Sequence, residues 1–322
     1  MKLEQQNFDP GGGQGYVTCL IIYVDDMIIT GNDEQEIKKL KEGLFTEFEM
    51  KDLGRLKYFL GIEVLRSQHG IFICQKKYIL DLLAETGMLD CKPAETPMIA
   101  NQKLYLEPEG EPTDKGRYQR IQFMHQPQKA HMDAVERIIK YLKGTPGYGV
   151  LFKSNGHLNV QIYTDADWAG DKGNRRSTPG YFSLVRGNLV TWRSKKQRVV
   201  SLSSAEAEYR GISRGVAEVL WIRKLLTEVG FRPKRATQVF CDNEAANQIS
   251  ENPVQHDRTK HVEIDRHFIK EKLEAGIIEV PFVRSEDQLA DILTKAVRTG
   301  IMQDCLGKLN FGDPTIQLEG EC

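Results

Sequence analysis

Long apolar runs are missing from this sequence. No stretch approaches the roughly 20 consecutive apolar residues that a membrane helix needs. The opening MKLEQQNFDPGGGQG has no apolar segment behind its lysine and carries no secretory signal. Cysteine is sparse: the six residues (Cys19, Cys74, Cys91, Cys241, Cys305, Cys322) stand far apart and form no CxxC pair. That spacing argues against a disulfide scaffold or a structural zinc and fits a reducing compartment. An excess of one charge is also missing. Lys and Arg number 44 against 45 Asp and Glu, a net charge of −1. A uniformly basic nucleic-acid coat is therefore excluded, while a local basic face is not. There is no internal repeat and no long low-complexity tract.

What remains is ordinary globular material: 322 residues, 40% hydrophobic and 28% charged. That length suits two domains and a sizeable core. Residues 1–15 read as an unstructured leader, because Gly11, Gly12, Gly13 and Gly15 hold neither helix nor strand cheaply. The GGGQG run has no closing lysine or Ser/Thr, so it reads as a linker and not a phosphate loop. YVTCLIIYVDDMIIT is two β-rich runs around Asp25-Asp26, the pattern of a hairpin. The spacing of Ile37, Leu40, Leu44, Phe45 and Phe48 predicts a helix. Strands are expected over 58–65 and 71–74, then a helix over 77–86 ended by Gly87. Prolines 93, 97, 108 and 112 mark a connector and the domain boundary. A helix over 118–143 is stopped by GTPG. GVLFK, LNVQIYTDADW, GYFSLVRG and NLVTWRS then predict an antiparallel meander. A long helix from about Ser204 to Val229, a strand at QVFC, helices over 244–250 and 265–275, a strand over 277–283 and a last helix over 288–296 complete an α/β pattern with a mixed sheet.

Four carboxylates stand where chemistry is usually presented. Asp165 and Asp242 each close a strand. Glu206 and Glu208 share the long helix, but Ser203-x-x-Glu206 matches a capping box and gives Glu206 a structural job. Glu208 lines up instead with Ile212, Gly215, Val216 and Val219, the apolar face. An inward carboxylate is costly unless a cation pairs with it. Asp291 opens the last helix, where it also compensates the helix dipole. Hard oxygen ligands of this kind suit Mg²⁺ or Mn²⁺, and two such ions can activate water against a phosphodiester.

YTDADWAGDKGNRRSTPGY, WRSKKQRVVSLSSAEAEY, VFCDNEAA, RTKHVEIDRHFIKE and EDQLADILTK together resemble the ribonuclease H domain of copia-type LTR retrotransposon polyproteins. The resemblance covers about residues 158–298. It implies a ribonuclease H-like mixed five-stranded sheet and Mg²⁺-dependent cleavage of the RNA strand of an RNA–DNA hybrid. It places the four acids on Asp165, Glu208, Asp242 and Asp291. One departure is the loop Arg284-Ser285-Glu286-Asp287, which lacks the histidine many ribonucleases H carry. His261 lies before a helix instead and can orient substrate or serve structure. His256, His261 and His267 lack zinc-ligand spacing.

Upstream, Tyr23-Val24-Asp25-Asp26, MKDLGRLKYFLGIEV and CQKKYILDLL resemble the reverse transcriptase of the same polyproteins. The resemblance makes Asp25 and Asp26 two polymerase metal ligands. The third aspartate, the fingers and most of the palm have no counterpart, so a truncated palm/thumb fragment is expected, unable to polymerise unless a partner chain supplies the rest. A second break lies near Arg117–Phe123, where the family has more residues. The expected organisation is therefore a leader (1–15), a polymerase tail (16–110), a shortened connection (111–157), the ribonuclease H-like domain (158–298) and a C-terminal tail (299–322).

Residues 171–235 hold fifteen Lys/Arg and five Asp/Glu, a local charge of +10. Arg193, Lys195, Lys196 and Arg198 sit just before the long helix and suit a phosphate backbone. Ser177, Thr178 and Asn243 are candidates for backbone or 2′-hydroxyl contacts. Trp192 suits stacking or core packing. The expected partner is a hybrid or another nucleic acid, with no membrane; the expected location is cytoplasm or nucleus. A catalytically silent nucleic-acid-binding remnant is the competing reading.

Overall fold

The computed structural model describes residues 3–4, 15–99, 110–114, 127–171, 173–251 and 263–313. Three sheets organise them. The first is small. Its strands are β1 (Leu3–Glu4), β2 (Thr18–Tyr23) and β3 (Asp26–Gly31), with β2 and β3 forming the expected hairpin. The pairing of Leu3 with Ile21 and Glu4 with Leu20 corrects the expectation of a wholly unstructured leader. Helix α1 (Glu34–Glu47) follows, capped by the Asp33 side chain, which accepts from the Glu36 N–H.

The expected single strand over 58–65 is a tight hairpin instead. Leu60 and Gly61 both adopt positive φ, 49° and 83°, so the chain reverses between β4 (Tyr58–Phe59) and β5 (Ile62–Ser67). β6 (Gly70–Cys74) pairs with β5, and α2 (Lys76–Glu85) ends before Gly87 at φ 67°. The beginning of the helix expected over 118–143, and the break near 117–123, lie outside the described residues. Among described residues that helix, α3 (Lys129–Gly144), is fixed by a capping box in which His131 Nδ1 accepts from the Gln128 N–H. Ile79, Leu83, Met132, Val135 and Ile139 lock α2 against α3.

β7 (Gly149–Phe152) does not enter the expected meander. It pairs with β6 and so belongs to the second sheet. The meander is β8 (Val160–Asp167), β9 (Thr178–Val185) and β10 (Asn188–Ser194). Helix α4 (Ser204–Glu228) crosses it, and β11 (Thr237–Phe240) pairs parallel with β8. Helices α5 (Glu244–Glu251) and α6 (Glu263–Glu274) follow, then β12 (Ile278–Glu279), parallel to β11. The order β10-β9-β8-β11-β12, antiparallel on one side of β8 and parallel on the other, is the ribonuclease H-like mixed five-stranded sheet. β12 is shorter than the expected 277–283. Pro281 has no N–H to donate, and beyond it only a Cys241–Phe282 bridge continues the pairing.

The last expected helix also shrinks. Only α7 (Asp291–Thr294) forms, because Gln288 is extended at ψ 101° before it and Lys295 at φ −128° after it. The expected tail contains α8 (Thr299–Lys308) and β13 (Phe311–Gly312), and β13 pairs with β7. The second sheet, β13-β7-β6-β5-β4, thus takes strands from three of the expected segments. Leu309, Cys305 and Val150 share one core with Phe182, Leu184, Leu189 and Leu289. Among the described residues, no helix is long and apolar enough to cross a membrane.

Candidate metal centre and nucleic-acid face

Helix α4 lies close on β8 because its contact face is small. A Cβ on Gly215 would stand 2.7 Å from Thr164 Cγ2 and 3.2 Å from Ile162 Cγ2. The Ser203 hydroxyl accepts from the Glu206 N–H at 3.2 Å, and Glu206 Oε2 accepts from the Leu202 N–H at 2.8 Å. Glu206 Oε1 holds Arg210 at 2.9 Å. Glu206 is thus occupied in capping and pairing. Glu208, two residues on, faces the sheet and is buried.

Asp165, Asp242 and Asp291 each offer an oxygen within 4.8 Å of the others, and Glu208 offers one within the same distance of Asp242 and the Cys241 thiol. The four acids therefore form two overlapping groups that share Asp242. Asp165 is fully buried near the end of β8; Asp242 follows β11; Asp291 opens α7. Gln288 sets the last of these. It is buried, donates to the Thr164 carbonyl at 3.0 Å and accepts from the Ala290 N–H at 3.1 Å, tying the start of α7 to β8.

Electrostatics follow from this crowding. Burial, then the neighbouring Asp165 and Asp242 charges, push the Glu208 carboxyl up to about 9. Burial and the Asp165 and Asp242 charges likewise raise Asp291, against the pull of Lys295. Burial also pushes the Cys241 thiol up, so it is a neutral neighbour of Glu208. Lys295 Nζ lies 3.1 Å from Asp165 Oδ1 and 2.9 Å from Asp291 Oδ1. Burial disfavours its ammonium, and the two carboxylates outweigh that, raising it overall. The Thr294 hydroxyl donates to Asp165, and the Ser285 hydroxyl to Asp242 at 2.8 Å. Among the described residues no ammonium or guanidinium pairs with Glu208. A buried carboxylate beside two others, met by the Ala166 N–H and a neutral thiol but by no cation among the described residues, fits a divalent cation.

The basic cluster spans the end of β10 and the loop that leads to α4. Arg193, Lys195, Lys196 and Arg198 are exposed, and Lys196 pairs with Asp171. The loop is anchored by Gln197, which is buried. Its side chain donates to the Ala207 carbonyl at 3.0 Å and accepts from the Ser201 hydroxyl at 2.7 Å. Trp192 is 56% exposed, so it does not pack in the core.

Three of the expected contact residues have structural duties. Ser177 is fully buried and its hydroxyl accepts from the Ala169 N–H, which removes it from any substrate-facing set. The Thr178 N–H donates to Asp167. Asn243 caps α5, its Oδ1 accepting from the Ala246 N–H at 3.0 Å. Asp25 and Asp26 are exposed at the β2–β3 turn, beside a cavity of about 560 Å³ that Lys41, Phe45 and Asp52 also line. Neither joins a metal-ligating group among the described residues. His256 and His261 lie outside the described residues; His267 is exposed and 3.9 Å from Glu263.

Lys295, Thr294, Ser285, Gln197 and Gln288 were not among the expected site residues. The one available signal was the Asp291-x-x-x-Lys295 spacing, which brings opposite charges together on one turn.

Residues 4–100 match the family of reverse transcriptases described as RNA-dependent DNA polymerases. The retrovirus-related Pol polyprotein from transposon RE1 of Arabidopsis thaliana is 40% identical over 315 residues, 91% of this chain and 22% of that protein. That from transposon TNT 1-94 of Nicotiana tabacum is 33% identical, over 89% of this chain and 24% of that protein. The ribonuclease H1 LC11, solved with an RNA/DNA hybrid, is 18% identical with a TM-score of 0.33, over 42% of this chain and 94% of that one. Strand order, not that score, defines the fold class. The protein joins a reverse transcriptase-family segment to a ribonuclease H-like sheet, and so falls in the retroelement Pol class. It belongs to the copia-type retrovirus-related Pol polyproteins of transposons, and it spans about a fifth of the length of the curated polyproteins it matches.

Proposed function

We propose that this chain hydrolyses the RNA strand of RNA–DNA hybrids at the centre formed by Asp165, Glu208, Asp242 and Asp291. The convergence of these four carboxylates from β8, α4, the end of β11 and α7 carries the reading. Asp242 is common to the two groups; Glu208 belongs to one of them, and Asp165 and Asp291 to the other. Two Mg²⁺ ions (or Mn²⁺) held there would supply a deprotonated water and neutralise the charge on the leaving oxygen. The protein's own part is positional. Gln288 and the Ser203 cap hold the ligands in register, and the exposed Arg193, Lys195, Lys196 and Arg198 grip phosphates of the hybrid.

Polymerisation is not proposed for this chain alone, because neither Asp25 nor Asp26 joins a group of three side chains with metal-ligand spacing among the described residues. The test is incubation of the purified chain with a labelled hybrid and Mg²⁺. Cleavage of the RNA strand that falls at least about a hundredfold in Asp165→Asn supports the reading. Hybrid binding without cleavage supports the silent remnant instead.

A further inference from the structure

The ammonium of Lys295 occupies a place a metal reading leaves for a cation. It bridges Asp165 and Asp291, at 3.1 and 2.9 Å, in a site whose other acids, Glu208 and Asp242, have no ion pair among the described residues. The bridge is anchored at its base, where the Lys295 N–H donates to the Asp291 carbonyl at 2.9 Å. The side chain as a whole is 43% exposed, which gives it a path to solvent. An ammonium and a divalent cation cannot both sit on the same pair of carboxylates without strong repulsion.

We propose that Lys295 is a built-in competitor for the metal: it neutralises the Asp165–Asp291 pair in the metal-free protein and swings to solvent when a divalent cation enters. The inference rests on the metal-centre reading above. It makes Lys295 a positioning residue with two linked effects. The metal-free fold keeps a buried carboxylate compensated, and metal is bound more weakly than the four acids alone would allow. Exchange of metal, and with it release of a bound phosphodiester, then needs no external displacing group.

Calorimetric titration of the full chain with Mn²⁺ tests this, together with thermal melts in EDTA. Lys295→Met keeps the stem and removes the charge. It should bind Mn²⁺ about tenfold more tightly than the unaltered chain, melt lower in EDTA and regain its melting temperature in Mn²⁺. Lys295→Arg, which restores the charge, should return both readings toward the original. Should Lys295→Met fail to fold in EDTA, Lys295→Gln titrated after refolding in Mn²⁺ and dialysis gives the same comparison. Equal or weaker Mn²⁺ binding by the charge-free variants, with the unaltered chain binding normally, overturns the competitor role and leaves the metal centre standing. No Mn²⁺ binding by any of them removes both the centre and its competitor.

Discussion

Glu206 and Glu208 are two residues apart, yet their surroundings give them opposite roles. Glu206 ends in a cap and an Arg210 pair, and Glu208 ends under the sheet beside Asp165. That division is readable in the sequence, since Ser203-x-x-Glu206 is a local signature and the apolar register of Glu208 follows from helical period. Lys295 was not legible in the same way. Its spacing shows the pairing with Asp291, but its contact with Asp165 depends on α7 packing against β8, which no local pattern dictates. Ser177 failed for a similar reason: a serine in a polar loop looks exposed until the loop folds over it. The raised Glu208 carboxyl has a consequence for pH. Its native value of about 9 lies above the ordinary 4.5, so the native state holds a proton that the unfolded chain releases. In EDTA, stability should therefore fall as pH rises from about 5 to about 9. Melting curves across that range should show a shallower fall in Glu208→Gln, and an unchanged slope would contradict the assignment.

At the scale of elements, the hairpin, the long helix and the meander strands were readable because period and turn chemistry agree there. The exceptions have physical causes: positive φ at Leu60 and Gly61, the missing N–H of Pro281, and the assignment of β7 to another sheet, which is a tertiary choice. The contact of α4 with β8 sets the distance from Glu208 to Asp165. Gly215→Ala must push Thr164 or the helix itself, and should cost about 1–3 kcal/mol and weaken Mn²⁺ binding in a parallel titration. The loop before α4 makes a separate claim. Lys195→Gln with Arg198→Gln should lower hybrid affinity and flatten its dependence on log salt by about 2, as measured by fluorescence anisotropy at several salt concentrations. An unchanged slope would leave the basic loop as a solvated surface.

Across the whole molecule, the ribonuclease H-like sheet and the second sheet share a core. Leu309 and Cys305 come from the C-terminal side, Val150 from β7, and Phe182, Leu184 and Leu189 from the meander. The sequence pattern did not reveal this. A two-residue strand such as β13 carries too few residues to show a period. Leu309 is almost fully buried, and Leu309→Ala should destabilise the fold by about 3 kcal/mol, seen as a lower urea midpoint for the meander and the second sheet together. Separate transitions would mean that the shared core does not couple them. Whether the four carboxylates gather a pair of divalent cations is visible in crystals soaked in Mn²⁺. Anomalous difference maps should show two peaks about 4 Å apart among Asp165, Glu208, Asp242 and Asp291, with the Lys295 ammonium moved away. Peaks elsewhere, with these four side chains empty, would mean that the carboxylates are not a metal centre.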